Sequence, residues 1–70
     1  MKTVIQSLNS GNYLIVDHSE SGKVGYYWTN RCVEATGFDS DEEAVNTIKK
    51  FGFFNTRVVQ CAINYEANGG

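Results

Sequence analysis

The chain has 70 residues, with six basic and eight acidic side chains giving a net charge of -2. A single domain of this size hides only about 60% of the surface its unfolded form exposes, so its core is thin. Apolar residues at 41% and charged residues at 20% place it among folded domains and exclude a disordered chain. The charge balance offers no general attraction to nucleic acid or to an anionic membrane, and mildly favours a basic partner.

Met1 to Leu8 lacks the apolar run and cleavage signal of a secretory leader, and no later run approaches a membrane span. A cytoplasmic setting without membrane contact is the resulting expectation. Thr3 to Leu8 reads as a short strand, with Val4 and Leu8 on one face and Ile5 on the other. The turn formers Asn9, Ser10, Gly11 and Asn12 follow. Tyr13 to Val16 then makes a second strand, and His18 to Gly22 a second polar turn.

A third strand runs from Lys23 or Val24 to Thr29. Alternation puts Val24, Tyr26 and Trp28 on one face and Gly25, Tyr27 and Thr29 on the other. Gly22 to Trp28 resembles a strand of a cold-shock domain, but without the surrounding basic residues, and no function transfers from it. Within Asn30 to Gly37, Arg31 to Thr36 could continue the third strand after a bend, form a further strand or run as a loop, and a short strand is the reading taken, for three or four strands before the helix.

Phe38 to Gly52 is the one well-signed helix. Ser40 and Glu43 have capping-box spacing, with Phe38 placed as a hydrophobic staple. Acids fill the first turn, Lys49 and Lys50 the last, and Gly52 stands where a left-handed C-cap is expected. Ala44, Val45, Ile48 and Phe51 form its apolar stripe. Arg57 to Tyr65 is the last strand, with Val59, Cys61, Ile63 and Tyr65 on one face and Val58, Gln60, Ala62 and Asn64 on the other. The order predicts an α+β fold, an antiparallel sheet with one helix on one face, in a single domain over residues 1 to 66 with a mobile tail at 67 to 70.

Cys32 and Cys61 are too few for a paired-cysteine zinc site, and a reducing cytoplasm predicts two free, mostly buried thiols. No cofactor motif, phosphate loop or nucleophile elbow occurs. His18, between Asp17 and Glu20, lies in a serine-rich turn that shelters no substrate, so a solvated turn is the reading and no enzyme is expected.

One helix cannot cover every large residue that the strands present, and Tyr13, Ile15 and Tyr27 lie in the pleat phase opposite to their strands' other sets. Exposed aromatic surface of this kind marks an interface. The candidate contacts are Tyr13, Tyr27, Trp28 and Arg31 on the sheet, the acids Asp39, Asp41, Glu42 and Glu43 at the helix start, and Phe54. Phe53 and Phe54, if extended, cannot both face inward.

A small, single-domain, motif-free and mildly acidic chain resembles in style the phage-encoded inhibitors of host defence, anti-CRISPR proteins among them. That resemblance implies a non-enzymatic module that binds a larger protein, such as one with a basic surface, or that pairs with itself. The alternative is single-stranded nucleic-acid binding through Tyr26, Tyr27, Trp28 and Arg31.

Overall fold

Four strands form one antiparallel sheet in the order β3-β2-β1-β4: β1 Lys2–Ser7, β2 Tyr13–Asp17, β3 Gly25–Thr29 and β4 Thr56–Cys61. The computed structural model describes residues 1–18 and 22–62. The expected last-strand positions Ile63, Asn64 and Tyr65, the tail at 67 to 70, the domain limit at 66 and turn residues Ser19 to Ser21 lie outside the described residues. A single helix, α1 Asp41–Phe51, lies over β1 and β4. The α+β architecture expected from the element order is therefore the fold.

The limits of α1 follow its local chemistry. The Glu43 N–H donates to Ser40 Oγ at 3.2 Å, and Glu43 Oε1 accepts from the Asp39 N–H at 3.3 Å. The capping box thus closes one residue upstream of its usual reciprocal bond. Gly52 ends the helix in the left-handed region, at φ 74, where its N–H reaches the Ile48 carbonyl. Ala44 is fully buried against Ile5 and Leu14, with Ile48 half-buried in the same cluster. Val45 is exposed, which narrows the expected stripe: it lies about 100° around the helix from Ala44 and turns away from the sheet.

Strand registers set the two faces. Val4 lies opposite Val59 and Ile5 opposite Val58 across β1 and β4, while Leu14 faces Trp28 and Val16 faces Tyr26 across β2 and β3. The helix side therefore collects Ile5, Leu14, Val16, Trp28 and Val58, together with Phe38, Ile48 and Phe53. The opposite side collects Val4, Cys61 and Ala35, with Tyr13, Cys32 and Val59 packed around them. Val4 and Ile5 are both fully buried although they point to opposite faces. Leu8, expected to share Val4's face, lies beyond the strand and is exposed.

Residues 30 to 37 do not form the expected strand. They carry a short 3-10 turn, Cys32–Glu34, that lies over the outer face. Gln6 opposite Tyr13 is the register pair between β1 and β2, and toward Lys2 and Asp17 the two strands part. The chain passes through that opening. Ala35 belongs to the outer cluster and Phe38 to the helix-side cluster, so this segment carries the backbone from one face to the other.

Within the opening its polar groups take over the missing ladder. Thr36 N–H donates to the Leu14 carbonyl at 3.0 Å, and the Val16 N–H donates to Thr36 Oγ1 at 2.8 Å. Phe38 N–H donates to the Thr3 carbonyl at 2.9 Å. Both parted strands thus keep hydrogen-bonded backbones, which burial requires.

Cys32 and Cys61 are joined in a disulfide with Cα atoms 6.0 Å apart, which corrects the expectation of free thiols. That expectation rested on a reducing cytoplasmic setting. Once the 3-10 turn folds over the outer face, it brings Cys32 to the end of β4. Cross-linking a loop of 29 residues restricts the unfolded chain by about 3.5 kcal/mol in the chain-entropy account.

Candidate protein-binding surface

β3 is an edge of the sheet, and the run Tyr26-Tyr27-Trp28 divides between its two faces. Trp28 is half-buried on the helix side, its ring 5.3 Å from that of Phe53. It packs against the helix-side core and keeps part of its surface open. Tyr26 lies on the same side but at the rim. Its ring is 4.8 Å from Phe53 and 5.2 Å from Phe51, both edge-on, and 47% of the residue stays exposed. Such edge-to-face packing fixes the rings and leaves an outward margin of tyrosine.

Tyr27 points to the other face and is 54% exposed. Its hydroxyl donates to the Asp17 carboxylate at 3.2 Å. That hydrogen bond, followed by the negative charge of Asp17 and slight desolvation, raises the phenol above its ordinary value. Tyr13, expected as a contact, is half-buried in the outer cluster beside Val4 and Cys61. The 3-10 segment covers the part of the face where Tyr13 lies and stops short of Tyr27. The three aromatic residues of β3 consequently form no continuous stacking platform for nucleotides.

Arg31 is exposed beside this edge. Its guanidinium is 3.5 Å from Glu34, and its backbone N–H donates to Thr29 Oγ1 at 3.1 Å. Glu34 also accepts from the Thr29 hydroxyl at 3.0 Å. Arg31 thus arrives at the rim with its charge already balanced by a solvent-exposed partner, an interaction of small worth by itself.

The acids at the helix start divide by role. Glu43 is engaged in capping, whereas Asp39, Asp41 and Glu42 are exposed and have no ion-pair partner among the described residues. Helix polarity favours acids there whether or not a partner exists.

Phe53 and Phe54 separate as their adjacency requires. Phe53 enters the helix-side cluster and Phe54 is 88% exposed. Asn55 follows in the left-handed region at φ 54, and its carbonyl accepts from the Leu8 N–H at 2.7 Å. The exposed Leu8 therefore joins Phe54 at one end of the sheet. Leu8 was missed as a surface residue because its spacing continues the strand alternation, whereas the strand ends at Ser7.

His18 is exposed, and no cavity or metal-ligand cluster is formed among the described residues. Among the described residues no helix is long and apolar enough to cross a membrane. The arrangement is that of a small α+β domain whose chemistry-bearing residues lie on its rim. No known protein family, curated protein or solved structure matches the chain.

Proposed function

We propose that this protein is a non-enzymatic binding module that occupies a larger protein through the rim of its sheet, with Tyr26 and Tyr27 as anchors and Arg31 beside them. The observation that carries the reading is the uncharged edge strand Gly25–Thr29 with two tyrosines about half exposed on its opposite faces. An edge strand of this kind offers backbone donors and acceptors for strand addition, and tyrosine is among the residues enriched at binding hot spots. The acids Asp39, Asp41 and Glu42 supply a second, electrostatic surface that favours a partner with a basic groove and speeds approach to it. Inhibition of a host protein or defence complex, in the manner of small phage-encoded inhibitors, is the activity that suits such a module.

The test is affinity capture from lysate of the source cell, and of its host if the gene is carried by a mobile element, with nuclease-treated controls. Tyr27→Ala and Asp41→Lys/Glu42→Lys are run in parallel, and any captured protein is purified and titrated directly. A purified partner that binds wild type and loses at least tenfold affinity with Tyr27→Ala supports the edge. Equal loss with the charge reversal alone moves the contact to the helix start. Recovery that disappears with nuclease replaces the reading with nucleic-acid binding. Self-association without a partner, seen by light scattering over a dilution series, replaces it with a homodimer.

A further inference from the structure

The disulfide joins the outer face to a segment whose other holds are few. Lys2 Nζ donates to the Val33 carbonyl at 2.9 Å, and the Lys2 chain lies against Gly37, where an added Cβ would come within 3.1 Å of it. The bonds from Thr36 and Phe38 anchor the segment in the opening between β1 and β2. Those from Glu34 to Thr29 and Arg31 tie the 3-10 turn to the end of β3. Among these described contacts, the strap from Lys2 and the disulfide hold the turn down over Val4 and Cys61. The β1–β4 and β2–β3 ladders do not pass through it, and Phe38 is the one residue of the segment that packs in the helix-side cluster.

We propose that the Cys32–Cys61 bond is an exchangeable latch, opened by a dithiol reductant that attacks the Cys32 sulfur and frees residues 31–38 as a local unit. Access sets the direction of attack: Cys61 is 3% exposed, whereas Cys32 is half-buried at the edge of its cluster. The attacking thiolate bonds to Cys32 Sγ as the bond to Cys61 breaks, and Cys61 leaves as a thiolate that takes up a proton. The second thiol of the reductant, as thiolate, attacks its own sulfur in the mixed disulfide and expels the Cys32 thiolate, which is protonated in turn. The dithiol loses two electrons and becomes a disulfide, and the protein gains two thiols. Release uncovers Val4, Val59 and the Cys61 thiol and draws Phe38 out of the helix-side cluster, while the contacts among Ile5, Leu14, Ala44 and Ile48 stay in place, as expected for a unit of low local stability. A latch of this kind also reconciles the bond with an expected cytoplasmic setting: it is closed when the chain is oxidised and opened by dithiols of that compartment.

The test uses the full oxidised chain with dithiothreitol as the dithiol, thiol alkylation read by mass, and amide hydrogen exchange. On reduction, the Val16, Thr36 and Phe38 amides exchange at least tenfold faster, those of Ile48 and Val59 stay within twofold, and reoxidation restores both. Cys32→Ser reproduces the fast rates without reductant. Should that variant fail to fold, reversible reduction of the wild type decides. Unchanged exchange at Thr36 and Phe38 after full reduction overturns the latch, and so does simultaneous loss of protection throughout, which would make the bond a staple of the whole fold. Excess glutathione, a monothiol, gives a mixed disulfide on Cys32 in the proposed exchange. A mixed disulfide mapped to Cys61 overturns the direction of attack.

Discussion

Replacing Thr36 with valine tests whether the crossing segment holds the parted strands together. The substitution keeps the branched shape and removes the one atom that accepts from the half-buried Val16 N–H, at 2.8 Å. Leaving such a donor without a partner costs about 1–3 kcal/mol, and a gained methyl offsets at most about 0.8 kcal/mol at full burial. The net loss expected is about 1–2 kcal/mol, out of a total of roughly 4–10 kcal/mol for a chain this small. With a urea slope near 1 kcal/mol/M, the midpoint should fall by about 1–2 M with no change in slope. Thr36→Ser is the control. It keeps the acceptor and loses a partly buried methyl, for about 0.5 kcal/mol. Urea unfolding of the oxidised proteins, with amide exchange at Val16, reads both effects. If Thr36→Val is as stable as wild type, or less damaging than Thr36→Ser, the hydroxyl is not the hold described.

Three further outcomes follow from individual contacts. Ser40→Ala should lower stability by about 1 kcal/mol through loss of the acceptor for the Glu43 N–H, read as a drop in helical circular dichroism and melting temperature, while Ser40→Asp should hold near wild type. Ala44→Leu should cost about 1–3 kcal/mol in urea unfolding, because Ala44 is fully buried against Ile5 and Leu14 and has no room for more atoms. The exposed Val45 should tolerate the same change within about 0.5 kcal/mol. Asp17→Asn should lower the Tyr27 titration midpoint toward the ordinary phenol value of 10.0, followed by ultraviolet difference absorbance at alkaline pH. Because the folded phenol is raised, its stabilising share is whole below the unfolded value and is lost as pH rises through the folded one.

The helix was legible because its signals are local. Ser40, Glu43 and Gly52 act within a few residues of themselves, and their geometry in the fold follows from their spacing. The strands were legible from alternation for the same reason. The segment from Asn30 to Gly37 was not, because what fixes it is distant in sequence: Leu14 and Val16 for Thr36, Thr3 for Phe38, Lys2 for Val33 and Cys61 for Cys32. Arg31-Cys32-Val33 has the composition of a strand, yet the chain turns over the outer face as a 3-10 segment instead of pairing along the sheet. Nor does the pleat phase reveal which aromatic residues stay exposed. Tyr13 and Tyr27 share a phase, and only the path of the 3-10 turn covers one and spares the other.

Covering the sheet on both sides has a consequence for how a partner can meet it. A single helix on a four-stranded sheet would leave the whole opposite face as an apolar platform, and the sequence invites that picture. Here the segment that crosses the sheet buries Val4 as fully as the helix buries Ile5, so the middle of each face is already covered. Among the described residues, the exposed aromatics are marginal in position: Tyr26 and Tyr27 on the β3 edge, Phe54 at the end beside Leu8. A partner that fits this protein should therefore extend the sheet or grip its rim, and variants should separate the two. Tyr27→Ala weakens binding at the edge, Phe54→Ala weakens binding at the end, and neither should alter the unfolding free energy measured in urea by more than about 0.5 kcal/mol, since both side chains lie largely outside the packed clusters. Loss of binding by either one with stability retained locates the contact. Loss of stability without loss of binding would show that these rings belong to the fold and that the rim is not where the partner docks.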